Sequence, residues 1–262
     1  MPSTPQLPLL GPFLVAFARR QAVRTVDVPG GFAVYDDAFA QSRANNHVIV
    51  DSTLETGDAV DPEKLPALAD KVLGHLPHRM INVLDDATGV ACTEPLRRAG
   101  YGRSTYVFMV HTGPVPTAAG ATAVEVGLDE LRAPLDRQWR SALPDVDDEV
   151  IRQLVERRET RRRGADTVRF LADHTPAGEV ASWADLYLDP VSGIAQIEDL
   201  NTSPDHLRRG HADAVLATAL RMAEDAGCGL RFLTADATDW PQHWYARRGF
   251  SAVGRFHCFE RG

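Results

Sequence analysis

The chain has 262 residues, 44% hydrophobic and 24% charged, with a formal net charge of −8. That length fits one large domain or two of ordinary size, and the balance is that of a soluble globular protein. The negative charge argues against a general nucleic-acid surface and suits a small cationic substrate. Cys92, Cys228 and Cys258 are odd in number and far apart, with no metal-ligand spacing. They predict buried thiols in a reducing compartment and no metal site. The apolar patch from Leu7 to Phe17 lacks a basic leader and is broken by Pro8 and Pro12. Neither a signal peptide nor a membrane span is expected, and the expected location is the cytoplasm.

In chain order, residues 1–12 read as an extended, proline-rich lead-in, and 13–25 as a short helix with Leu14, Phe17 and Ala18 on one face. Strands are predicted at 32–35 and 47–50. Asp61 and Pro62 are placed to start a helix, and Leu65, Leu68, Ala69, Val72 and Leu73 recur at helical spacing up to Gly74. A strand over 79–84, a short helix over 93–99 and a β-prone strand over 105–110 follow. Gly113, Pro114, Pro116 and Gly120 mark residues 114–121 as a linker between a domain at 1–113 and one at 122–262.

Beyond it, a strand is expected at 123–126 and helices at 129–143 and 147–163, the second capped by Asp147 and ended by Gly164. Arg157, Arg158, Arg161, Arg162 and Arg163 read as a solvated face of that helix. Strands are expected at 167–172, 179–188, 193–202 and 230–235, a short helix at 241–248, and one or two strands over 251–260.

The stretch 201–225 is the most informative. A strand tail breaks at Pro204, turns through Leu207-Arg208-Arg209-Gly210 and enters an alanine-rich helix. A helix start of this kind is an anion site, because its first amides have no partner within the helix and the dipole is positive there. Gly210 lets the backbone approach a bulky anion, the amides of Arg209, Gly210, His211 and Ala212 can donate, and Arg208 and Arg209 add charge. A faint repeat also runs through the chain. Leu96-Arg97-Arg98-Ala99-Gly100-Tyr101 before one strand echoes Tyr245-Ala246-Arg247-Arg248-Gly249-Phe250 before another.

Residues 122–262 resemble the GCN5-related N-acetyltransferase (GNAT) family. The order of elements is similar. Leu207-Arg208-Arg209-Gly210-His211-Ala212 looks like the family's pyrophosphate turn, with Leu207 where Arg or Gln is usual, and Tyr245-x-x-x-Gly249-Phe250 looks like its late aromatic motif. The resemblance implies an α/β (α+β) fold: a mixed, mostly antiparallel central sheet flanked by helices, with a second, smaller half that reads as a degenerate copy. It implies acetyl-coenzyme A as cosubstrate, held by Leu200, Asn201, Thr202, Leu207, Arg208, Arg209, Gly210, His211 and Ala212. Backbone groups of Leu200 and Thr202 would pair with the pantetheine amides.

The activity so implied is direct transfer of an acetyl group to a primary amine of a small molecule. Tyr245 stands where the family protonates the leaving thiolate. Glu198, on one strand face with Gln196, is the candidate base, with a water chain as the alternative. No nucleic acid, membrane or metal partner is expected, and the chain would be a monomer or homodimer. The competing reading is a non-catalytic acyl-coenzyme A binding or regulatory module of the same fold.

Overall fold

The computed structural model describes residues 7–54, 59–117 and 122–262. They form two compact units: the described residues within 1–109, 234–247 and 251–262 belong to the first, and those within 110–233 and 248–250 to the second.

In the first unit helix α1, Leu7–Gln21, includes most of the helix expected over 13–25 and begins earlier, taking in residues 7–12 that were read as extended lead-in. Pro8 falls in the first turn, where its missing N–H is not needed. Pro12 removes one helical hydrogen bond, and burial of Leu10 and Phe13 offsets it. Strand β1, Arg24–Val28, is largely exposed and so lacks the alternation that marks a half-buried strand. A turn at Gly30, φ 76°, joins it to β2, Gly31–Tyr35. Strand β3, His47–Val50, and β4, Arg79–Val83, pair in parallel, which requires a crossover; α2, Leu65–Leu73, supplies it and buries Leu65, Ala69 and Leu73. Asp61 caps the turn before α2 rather than the helix itself, its Oδ1 accepting from the Glu63 amide at 3.1 Å.

Helix α3 spans Asp86–Arg98, twice the predicted length, because Asp85 caps it early by accepting from the Thr88 amide at 2.8 Å. Strand β5, Gly102–His111, and the last strand of the chain complete the order β1-β2-β3-β4-β11-β5, with β11 at Phe250–Arg261. The core is mainly aliphatic, built on Val48, Val50, Leu65, Ile81 and Leu96, with Phe259 and Tyr101 among them.

The second unit is a meander. Strands β6 (Val124–Val126), β7 (Thr167–His174), β8 (Val180–Asp189) and β9 (Ile194–Thr202) pair antiparallel in sequence. Strand β10, Leu230–Asp236, then joins β9 in parallel, with α6, His211–Asp225, as the crossover. The order is β10-β9-β8-β7-β6. Helix α4, Leu128–Ala142, packs on β8 and on α5, Asp148–Glu156; α6 packs on β7, β8 and β9. Asp147 caps α5 as expected, accepting from the Val150 amide. The helix does not continue to residue 163, however. It tightens into a 3-10 helix over Arg157–Arg163. The mixed α/β class and the mainly antiparallel pairing match the expectation from sequence.

The two repeated segments share a local conformation. Gly100 and Gly249 both take left-handed backbone, φ 85° and 83°, just before an aromatic residue and a strand. At Gly249 the glycine is required, since a Cβ would lie 2.9 Å from the Gly113 Cα. Gly113, the last residue before the predicted linker, is thus held: its amide and that of Thr112 donate to the Gly249 carbonyl at 3.2 and 2.8 Å. Residues 118–121 of the predicted linker lie outside the described residues. The three cysteines are buried and free.

Candidate functional site

The site begins with a fault in the β8–β9 ladder. Trp183 faces Asn201 and Asp185 faces Glu198, so Asp199 and Leu200 share the single opposite position of Ala184. This is a bulge. It puts Asp199 at φ 50°, rare for a non-glycine residue. Asn201 fastens it: its Nδ2 donates to the Asp199 carbonyl at 2.9 Å, while its Oδ1 accepts from Gln138 of α4 at 3.1 Å. Ser182 Oγ donates to the Asn201 carbonyl at 2.6 Å, and Thr202 Oγ1 donates to Ser182 Oγ at 3.1 Å. On the other edge of β9, the parallel pairing with β10 runs only from Leu230↔Ile194 to Phe232↔Gln196. Residues 197–202 extend past it, so Leu200 and Thr202 lie on a strand edge beyond the described pairing.

From Thr202 the chain turns through residues 203–210 into α6. Arg208 and Gly210 both have left-handed backbone, φ 61° and 88°. Residues 207–210 are exposed, and a Cβ on Gly210 would meet nothing within 4 Å. The helix ladder starts with the Ala214 amide on the Gly210 carbonyl, leaving the amides of His211, Ala212 and Asp213 without intrahelical partners. Asp213 in that first turn is ion-paired to Arg248. His211 is half-buried against Asp173, Nδ1 to Oδ2 2.6 Å. Leu207 is 53% exposed.

Beneath the bulge lies a charged core that the sequence reading missed. The five-arginine run was expected to be solvated; instead Arg157, Arg158 and Arg161 are buried. The 3-10 helix has three residues per turn, so Arg158 and Arg161 stand one above the other and reach the same acid. That acid is Asp185, fully buried in β8. Arg158 Nε donates to its Oδ1 at 2.8 Å and Arg161 to its Oδ2. Arg161 Nη2 also reaches Asp199 Oδ2 at 2.6 Å, and Tyr187 Oη lies 3.4 Å from Asp185 Oδ2. The available signal was an aspartate alternating with Trp183 and Tyr187 in an otherwise apolar strand, since a buried carboxylate must be paired.

This core splits the two neighbouring acids of β9. Burial, reinforced by the negative charge of Asp199, raises the Glu198 carboxyl to about 7, although Arg161 and the 2.5 Å hydrogen bond from Gln196 Nε2 oppose it. Burial would also raise Asp199, but Arg161, Arg158 and Arg157 outweigh it and hold that carboxyl well below its ordinary range. Two adjacent carboxyls are thereby set apart, one ionised and one poised to exchange a proton near neutrality. Gln196 and Glu198 share a face, as their spacing implies.

Of the remaining predicted residues, Tyr245 lies on α7, Pro241–Ala246, in the first unit; the others lie in the second. Its ring is buried and meets Trp244 edge-on, centroids 5.1 Å apart. Among the described residues, no helix is long and apolar enough to cross a membrane.

Residues 129–250 match the model of the acetyltransferase (GNAT) family. The fold is shared with several solved structures at low identity. A functionally unknown conserved protein from Staphylococcus epidermidis superposes with TM-score 0.64 at 13% identity, covering 90% of this chain and 92% of its own. A GCN5-related N-acetyltransferase from Kribbella flavida gives 0.61 at 16% identity, covering 100% and 97%. Another from Sphaerobacter thermophilus gives 0.54 at 14%, covering 88% and 76%. No curated protein matches the sequence. The C-terminal half therefore carries a GNAT-family acetyltransferase domain.

Proposed function

We propose that the protein transfers an acetyl group from acetyl-coenzyme A directly to a primary amine of a small molecule. The observation that carries this reading is Glu198: a half-buried carboxyl raised to about 7, one residue before a bulge that breaks the strand. A base with that affinity is matched to removing a proton from an ammonium near neutral pH. Acetyl-coenzyme A supplies the activated thioester. The residues present fit it in two respects. The turn at Gly210 is open, with free first-turn amides of α6 and the Arg208 and Arg209 side chains beside it. The unpaired edge of β9 offers backbone groups of Leu200 and Thr202 to an extended amide-bearing arm. Asn201 holds the bulge in shape. Tyr245, by its place in the aromatic motif, is assigned the proton for the leaving thiolate.

The first unit is read as a reduced, non-catalytic second copy. Its matching glycine conformation at Gly100 supports this, and Leu96, fully buried, stands where the other copy has Tyr245. Leu207, an exposed leucine where the motif usually has Arg or Gln, favours a second reading: a module that binds acyl-coenzyme A without turnover. Coenzyme A release with a panel of amines separates the two. Tyr245→Phe is expected to keep acetyl-coenzyme A affinity in calorimetry and to lower turnover about 100-fold. Equal turnover removes the tyrosine from the mechanism.

Gly210→Asp is expected to raise the Kd for acetyl-coenzyme A by about tenfold or more, because it sets a carboxylate against the pyrophosphate. Gly210→Ala is the control. It costs about 1 kcal/mol of backbone strain at φ 88° but meets no atom, so its Kd stays near that of the parent. Unchanged affinity in Gly210→Asp would place the cofactor elsewhere.

A further inference from the structure

A cavity of about 50 Å³ opens beside the bulge, between α4 and the 3-10 helix. Leu135, Gln138 and Trp139 form one wall; Arg157, Arg161 and Asp199 form another. One water needs about 10–15 Å³ of such space, so the cavity has room for more than a single water and can take a small anion.

Its charges do not balance through the pairs that are made. Asp185 is committed to Arg158 and Arg161, and Asp199 to Arg161. Arg157 has no share in these pairs. It is only 7% exposed, yet its Nε and Nη1 have no hydrogen-bond partner among the described residues. Its guanidinium stands 5.7 Å from the centre of the Trp139 ring, which offers quadrupole attraction but no acceptor. A buried guanidinium without an acceptor is costly and is kept where something supplies one. Arg161, though paired, adds a second positive charge to the same wall. Gln138 holds its amide at the rim, already donating to Asn201 of the bulge.

We infer that this cavity receives the carboxylate of the acceptor, so that the acceptor is an amino acid rather than a simple amine. The inference rests on the acetyltransferase reading and names its substrate class. Arg157 receives the carboxylate, and Trp139, Leu135 and Leu154 exclude water from it. Asp199 lines the cavity and its chain neighbour is Glu198, so a molecule anchored on Arg157 carries its amine toward the β9 base. The overall charge of −8 suits a cationic acceptor, but the local excess of cations here selects for an anion on the same molecule.

The test compares wild type with Arg157→Met and Arg157→Lys in the full chain. Acceptors come in pairs that differ only in the carboxylate: glycine and methylamine, β-alanine and ethylamine, γ-aminobutyrate and propylamine, lysine and cadaverine. Binding is read by calorimetry in the presence of coenzyme A, and turnover by thiol release. At least one acid is expected to bind ten times or more tighter than its amine. Arg157→Met should erase that difference, raising KM for the acid 10- to 100-fold while any change in kcat is shared by the acid and its matched amine. Arg157→Lys should recover part of it. The thermal midpoint of Arg157→Met should equal or exceed that of wild type, since an unpaired buried charge is removed. Equal binding of acids and amines overturns the inference, as does an equal loss for both in Arg157→Met or a lowered midpoint. Carboxylate-dependent binding that Arg157→Met abolishes, without thiol release from any acceptor, would keep the cavity assignment and defeat the acetyltransferase reading instead.

Discussion

Asp185→Ala is expected to destabilise the protein by about 3–5 kcal/mol, the cost of leaving a buried ion pair half removed. Asp185 has no exposed surface, and it receives Arg158 and Arg161, which are themselves buried. Arg161 keeps Asp199, but Arg158 keeps no carboxylate among the described pairs. In a chain of this size the loss lowers the thermal midpoint by roughly 10 °C or more. Asp185→Asn keeps the volume and loses the charge, so it falls between the parent and Asp185→Ala. Calorimetric midpoints within a degree of wild type for both variants would mean that the cluster is solvated. The same substitution should disturb Asp199 and the bulge, so activity is expected to fall further than stability alone accounts for.

Glu198→Gln is expected to lower kcat/KM by about 10³, within the range for loss of a positioned base. The wild-type rate should rise with pH and level off above about 7, because only the ionised carboxyl accepts the proton. In Glu198→Gln that limb disappears. Stability moves the opposite way. The folded carboxyl is raised above its unfolded value, so folding favours the neutral form, and that advantage is present below about 4.5 and lost as pH rises through about 7. Glutamine stays neutral throughout. Glu198→Gln should therefore be more stable than wild type at pH 8 and no more stable at pH 4. A variant that is inactive and less stable at pH 8 would show that Glu198 braces the strand rather than serving as the base.

Much of the fold was legible because it is written in local periodicity. The strands from β7 to β10 fall within a few residues of their expected bounds, and Asp147 caps α5 where its spacing placed it. What escaped depends on partners distant in the chain. An extended reading of residues 1–12 follows from their prolines, yet Pro8 sits in a first turn where proline costs little. The arginine run looks solvated until Asp185, 24 residues after Arg161, is brought under it by β8. The bulge at Asp199 is likewise invisible in composition, because it exists only in the register between two strands. The turn at Gly210 was legible, since a helix start is what Arg-Arg-Gly before an alanine-rich run implies, whereas the left-handed backbone of Arg208 and Gly210 emerges only in the structure. Glu198 was found by its place on the strand, whereas its raised proton affinity comes from burial and the neighbouring Asp199. Arg157 was assigned to solvent, because nothing local distinguishes an unpaired buried arginine from its solvated neighbours.

The measurement that bears most directly on acetyl transfer at the β9 bulge is coenzyme A release from acetyl-coenzyme A across pH 5.5–9, with matched amino acids and amines as acceptors, for wild type and Glu198→Gln side by side. Acceptor-dependent release that rises with pH to a plateau above about 7 in wild type, and stays low and flat in Glu198→Gln, is the predicted result. Release that is independent of any acceptor, or an identical pH profile in the two proteins, would contradict it.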